Sequence, residues 1–247
     1  MGRPSFLTKF DETSRTAKAR KIAMLSGMVR PKPGTAMLDI GTSSGYIAAY
    51  FSKLGFGESG TFAVDVVDER RINSGYQFTH VHGTKLPFPD QRFDFIISNH
   101  VIEHVGDQRE QHMHLAEICR CLRDTGRLYI AVPNRWTVIE PHYRLPFLSW
   151  LPRGLAHSYL RLFRKVDSYN WEPLSRGELL RLLRLQGLEG EDTTLQALRV
   201  SAEIEQTGLL RFAASLPAWC WRLFRPIIPT LTFVCRKQTG PSKKAGV

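Results

Sequence analysis

With 247 residues, 43% of them hydrophobic and including 14 Phe and 5 Trp, the chain can bury a substantial core as one α/β domain or two small ones. The net charge of +11 points to an anionic partner, whether nucleic acid, an anionic membrane or an acidic or phosphorylated substrate; the plainer reading is a soluble basic protein. Met1 to Phe10 lacks an apolar leader core and no run reaches the ~18 apolar residues of a membrane span, so a cytoplasmic protein is expected. Cys119, Cys121, Cys220 and Cys235 form no C-x-x-C pair and read as free thiols in a reducing compartment.

In chain order, Arg15 to Val29 reads as a helix with Ile22, Leu25 and Val29 on its apolar side and Lys18, Arg20 and Lys21 on a solvated one. Pro31-Lys-Pro-Gly34 ends it. Met37 to Ile40 is a short apolar strand, Asp39 and Gly41 make a sharp turn, and a helix runs from Ile47 to Leu54. A strand, a small-residue loop and a helix start build a pocket for a polar ligand, because glycine lets backbone approach and the first helical N–H groups are unpaired. The dinucleotide fingerprint Gly-x-Gly-x-x-Gly fails, since Ser43 and Tyr46 occupy its third and sixth places. Thr61 to Asp65 is the second strand, and an acid at its end can accept both hydroxyls of a ribose. Phe78 to His82 is a third strand. Leu86-Pro-Phe-Pro-Asp90 then leads to Phe93 to Ser98, an apolar run typical of a strand buried on both faces, and to Asn99-His-Val-Ile-Glu-His104.

This ordered set resembles the class I S-adenosylmethionine (SAM) methyltransferases from about Thr35 to Val132. Asp39, Gly41 and Gly45 match the family's Asp-x-Gly-x-Gly-x-Gly loop, with Ser43 at the middle glycine. The resemblance implies a Rossmann-like α/β fold: a seven-stranded, mostly parallel sheet with a reversed last strand and helices on both faces. It assigns SAM to Asp39, Gly41, Ser43, Gly45, Asp65, His82 and Asn99, with His82 where an acid is common. For Glu103-His104 three readings stand. The pair orients loops around the cofactor; or His100 or His104 is the general base for an acceptor hydroxyl; or the cluster holds a divalent metal. Related enzymes of ubiquinone synthesis carry Glu-x-x-Glu-His here. His100 takes the first Glu place and leaves one carboxylate fewer, so no metal ligand is assigned.

Asp107 to Arg123 reads as an amphipathic helix with Leu115, Ile118, Cys119 and Leu122 buried and His112 and His114 at the surface. Asp124 to Gly126 turns into a fifth strand, Arg127 to Val132. Residues 133–173 are too long for an ordinary connection and read as a helical lid that forms the acceptor site. Arg135, Arg144 and Arg153 are its candidate anion grip, and His142, near Glu140, is a further candidate base. The basic amphipathic run Arg153 to Lys165 suits a packed helix, a lid or a membrane-facing surface. Ser175 to Glu178 is a capping box opening a helix to Leu185. The sixth strand falls within Leu188 to Val200, Ala202 to Pro229 is helical, and Thr230 to Cys235 is the seventh strand. The expected organisation is a single SAM-dependent methyltransferase domain with an N-terminal helical cap (1–34), the lid, and a disordered polar tail (237–247).

The leading expectation is O-methylation of a small-molecule or lipid-linked anionic acceptor, such as a glycan precursor, with peripheral membrane contact left open. The alternatives are an RNA methyltransferase, disfavoured because no separate RNA-binding motif is visible, and a non-catalytic SAM-fold subunit that binds a membrane or partner.

Overall fold

The computed structural model describes residues 12–140, 143–164, 171–205, 217, 221 and 223–238. Seven strands form one sheet in the order β3-β2-β1-β4-β5-β7-β6. They are β1 (Met37–Ile40), β2 (Thr61–Asp65), β3 (Gln77–His80), β4 (Phe93–Asn99), β5 (Leu122–Pro133), β6 (Leu188–Asp192) and β7 (Thr230–Lys237). β1 pairs in parallel with β2 and β4, β2 with β3, and β4 with β5, whereas β7 runs antiparallel between β5 and β6. β1 lies between β2 and β4, and the connections wind outward from it in opposite directions, towards β3 on one side and β5 on the other. That arrangement opens a crevice beyond the strands' carboxyl ends.

Period-two alternation divides the strand side chains between two cores. Leu38, Ile40, Ile96, Leu128 and Ile130 face α4 (Gln108–Cys121) and α6 (Arg176–Leu185), which contribute Leu115, Ile118, Leu179 and Leu183. Met37, Phe95, Ile97, Tyr129 and Ala131 face α1 (Glu12–Ser26), α2 (Tyr46–Phe51) and α7 (Thr194–Glu205), which contribute Ile22, Phe51, Ala197 and Val200. The short α3 (Gly57–Gly60) precedes β2.

The insertion that follows β5, expected to be a lid, carries its own small core of Tyr143, Leu145, Leu148, Ala156 and Leu160, the last two from α5 (Arg153–Arg164). Its entry is tied down by buried Asn134, whose Nδ2 donates to the Ile228 carbonyl at 2.9 Å. The Trp150 indole donates to the Thr137 carbonyl at 2.9 Å.

Several boundaries differ from expectation. α2 continues into a π-helical stretch, Ser52–Phe56, broken at Gly55 (φ 136°). α4 ends at Cys121, and β5 starts at once, without the expected turn at 124–126. β6 stops at Asp192, because Asp192 Oδ1 accepts the Thr194 N–H at 3.0 Å and Ala197, Val200 and Ser201 bury one helical face. Residues 194–200 are thus helix, and α7 ends at Glu205. Most of the predicted helix 202–229, with the tail beyond 238, lies outside the described residues. The capping box at Ser175 is present, with Glu178 Oε2 accepting the Ser175 N–H at 2.7 Å.

Candidate active site

The loop after β1 takes its shape from three left-handed residues, Gly41 (φ 69°), Ser43 (φ 51°) and Gly45 (φ 81°). A Cβ added at Gly41 would stand 2.6 Å from Val101 Cγ2, and one at Gly45 would overlap the Tyr76 hydroxyl and the Ile72 carbonyl. Glycine is therefore required at both places. Ser43 adopts the left-handed conformation at some strain. Its Oγ is buried and has no hydrogen-bond partner among the described residues, an acceptor and donor left for a ligand. Asp65 holds the loop against β2, with Oδ2 accepting the Ser43 N–H at 2.8 Å and Oδ1 the Val66 N–H at 2.8 Å.

Asp39 sits beneath the loop, 1% exposed, and accepts the Thr42 hydroxyl at 2.8 Å. Burial drives its pKa up to about 7 against the pull of Thr42, and the nearby Asp65 charge adds to the rise. It shapes the loop from behind through Thr42.

One cavity borders the loop and a second lies at the ends of β4 and β5. The first, of about 200 Å³, has an apolar wall of Val66, Val81, Leu86 and Val101, and Gly41, Asp65, Thr84 and His104 also line it. A flat apolar slot with a carboxylate at the end of β2 fits an adenosine, and the orphaned Ser43 Oγ and the glycine cradle lie next to it. His82 is exposed, its ring edge-on to His80 at 4.8 Å, and it is not part of this wall. Thr84, two residues on and buried, stands there instead. His114, read from sequence as a surface residue, is buried against the same cavity, with Nε2 3.1 Å from Ser98 Oγ. Burial pushes its pKa down to about 4 despite the Glu103 charge, so the ring is neutral.

The second cavity, of about 230 Å³, lies on the α1 and α7 side. Asn99, His100, Lys18, Lys21, Tyr129, Thr194 and Ser201 line it, with Ala197, Leu198 and Ile228 as its apolar part. Lys18 and Lys21, read as a solvated face, are its cationic edge, and Lys21 Nζ donates to Ser201 Oγ at 3.2 Å.

Between the cavities runs the segment after β4. His100 is left-handed (φ 57°), and its N–H donates to the Ala131 carbonyl at 2.8 Å. Its Nδ1 lies 3.3 Å from Glu103 Oε1, and His104 Nε2 lies 3.8 Å from the same oxygen. Glu103 is 1% exposed. Burial would raise its pKa, but the two imidazoles outweigh it and the carboxyl is held below its usual range. Only Ile102–His104 form a 3-10 turn, so the three side chains do not share a helix face. His100 turns to the second cavity and His104 to the first, where its ring meets Trp171 at 4.2 Å. No group of three or more His, Cys, Asp or Glu among the described residues has the geometry to hold a metal ion.

Of the three arginines expected to grip an anion, Arg135 and Arg153 line one cavity, each facing a carboxylate, and Arg144 stands apart. Arg153 pairs with Glu172, Arg135 lies 3.7 Å from Glu178, and Arg144 is exposed at φ 53°. Buried Glu140 accepts the Tyr143 N–H at 2.6 Å, a structural use, and His142 lies outside the described residues.

Comparison with known proteins agrees with this geometry. A family profile described as "Methyltransferase domain" matches residues 10–191. A ubiquinone biosynthesis O-methyltransferase of Chelativorans sp. is 28% identical over 67% of this chain and 63% of its own. One of Brucella anthropi is 26% identical over 56% and 58%. The chain thus spans less than two thirds of these relatives' length. A crystal structure of an S-adenosylmethionine-dependent methyltransferase from Mesorhizobium loti superposes with a TM-score of 0.60 at 15% identity, covering 90% of this chain and 98% of that one.

Proposed function

Because the chain belongs to the family of SAM-dependent methyltransferase domains, we propose that it transfers the cofactor's methyl group to a hydroxyl oxygen of a small or lipid-linked anionic acceptor. The bound cofactor supplies a methyl group activated by its sulfonium charge. Asp65 would hold the ribose, the Gly41–Gly45 loop the methionine portion, and Thr84 with the apolar wall the adenine.

The observation that carries the reading is His100, which lines the cavity edged by Lys18 and Lys21 while its Nδ1 faces buried Glu103. With Nδ1 turned to that carboxylate, the acceptor hydroxyl's proton passes to Nε2, and Glu103 stabilises the imidazolium that forms. Two lysines beside an apolar patch favour an acceptor with a negative group and an apolar part. Holding the two reactants in line removes about 7–11 kcal/mol of barrier, so alignment outweighs the base, which contributes roughly 10²–10⁴-fold. The lid, next to His104 through Trp171, would close over the bound pair, and its exposed apolar helix would rest on a membrane that carries the acceptor.

The test is His100→Gln, assayed by transfer of labelled methyl from SAM into source-cell extract. The variant is expected to lose about 100-fold in rate and keep its SAM affinity, in line with removal of a general base. Unchanged transfer would remove His100 from the reaction.

A further inference from the structure

We propose that the cavity beneath the lid is a second small-molecule site, shaped for a neutral polyhydroxylated ring such as a pyranose. It encloses about 210 Å³ between the start of α4, the lid and the start of α6. Nothing in the methyl-transfer reading uses it.

The decisive group is Gln111, which is 0% exposed and lines this cavity. Its Nε2 donates to the Glu172 carbonyl at 3.0 Å and to the Ile102 carbonyl at 3.4 Å. Those two carbonyls fix which way the amide points. Its Oε1 is left buried with no hydrogen-bond partner among the described residues. A buried acceptor without a donor is unfavourable, and a ligand hydroxyl would satisfy it.

Charge decides the class of ligand. Arg135 and Arg153 line the cavity with Glu172 and Glu178 opposite, pairing at 3.7 Å for Arg135–Glu178 and as a direct ion pair for Arg153–Glu172. Two cations and two carboxylates sum to zero, so the lining has no net charge to favour an anion or a cation. A sugar hydroxyl donates and accepts at once and fits between such groups. Trp171, with Leu151 and Leu174, supplies the apolar surface that the C–H face of a ring needs. The volume falls below the ~300 Å³ at which drug-sized pockets begin, which suits one ring. Trp171 also packs on His104 of the first cavity, so the two spaces share a wall and remain distinct.

The test uses the full chain without SAM. Glucose, galactose, mannose and rhamnose would be titrated by saturation-transfer NMR and tryptophan fluorescence, beside glucuronate and glucosamine as charged controls. At least one neutral sugar should bind saturably, roughly tenfold more tightly than either control, a ratio large enough to read as specificity. Arg153→Ala and Gln111→Leu should each weaken it at least about fivefold, and Trp171→Phe should abolish the fluorescence change. SAM affinity serves as the folding control, and Arg153, being exposed, carries the test if Gln111→Leu fails to fold. The proposal is overturned if no neutral sugar saturates, if the charged sugars bind equally well, or if binding survives Arg153→Ala unchanged.

Discussion

Asp39 and His114 are both buried titratable residues, and burial moves them in opposite directions. Asp39 is raised from the ordinary 3.8 to about 7, so the folded state holds a proton that the unfolded chain gives up, and stability falls as pH rises through that interval. His114 is lowered from 6.5 to about 4, so the unfolded chain holds the proton, and stability falls as pH drops through that interval. Between pH 4 and 6.5 the two oppose each other. Chemical denaturation across this window should therefore show Asp39→Asn gaining stability with rising pH more steeply than the parent, and His114→Gln losing it. Equal slopes for Asp39→Asn and the parent would mean that the Asp39 carboxyl is not proton-bound in the folded state. Residues at this scale were unevenly legible. Gly41 and Gly45 announce themselves, since only glycine suits their backbone. His114 was missed although Gln111, Leu115, Ile118 and Cys121 bury the same helix face, a stripe that includes position 114. Its polarity hid a place that the spacing gave away. His82, named from the sequence as a cofactor contact, does not line the first cavity, whereas Gly83 and Thr84 do.

Among the elements, α5 is amphipathic beyond what its packing uses. At 100° per residue, Ala156 and Leu160 point to the lid core, and Leu155, Tyr159, Leu162 and Phe163 continue the apolar arc past it. Leu162 is 75% exposed and Leu155 and Phe163 more than half, while Arg161 occupies the opposite side. Trp136, Phe147 and Trp150 of the same insertion are exposed as well. Large apolar side chains beside arginine suit the interface of an anionic bilayer, where each buried Leu or Phe contributes about 1.5–3 kcal/mol. No helix among the described residues is long and apolar enough to cross a membrane. In vesicle sedimentation, the protein should pellet with phosphatidylglycerol-containing vesicles and less with neutral ones. The double variant Leu162→Ser, Phe163→Ser should weaken this at least about tenfold. Binding that the double variant leaves untouched would place the membrane contact elsewhere. The arginines of this insertion were legible as residues and not as partners: Arg153 and Glu172 are distant in sequence and meet in space, which no local spacing encodes.

At the scale of the whole molecule, order along the chain was the readable quantity. The central strands announce themselves as apolar runs, and the reversed last strand follows from the resemblance that those runs and the β1 loop carry. The division of the site between two cavities was not readable. His100, at a left-handed turn, and His104, four residues on, both lie within 4 Å of Glu103 Oε1 and yet line different cavities. The packing of α1 and α7 over the strand ends likewise converts Lys18 and Lys21 from a solvated face into the edge of a cavity. We propose that this arrangement binds SAM and delivers its methyl group to a hydroxyl oxygen of a small or lipid-linked acceptor. The most direct measurement supplies SAM with a labelled methyl group to the purified protein and source-cell extract, then separates lipid-soluble, small polar, RNA and protein fractions. Label is expected in the lipid-soluble or small polar fraction, in a methyl ether that His100→Gln forms about 100-fold more slowly. Label confined to RNA or protein, or no label together with no SAM binding, would contradict the proposal.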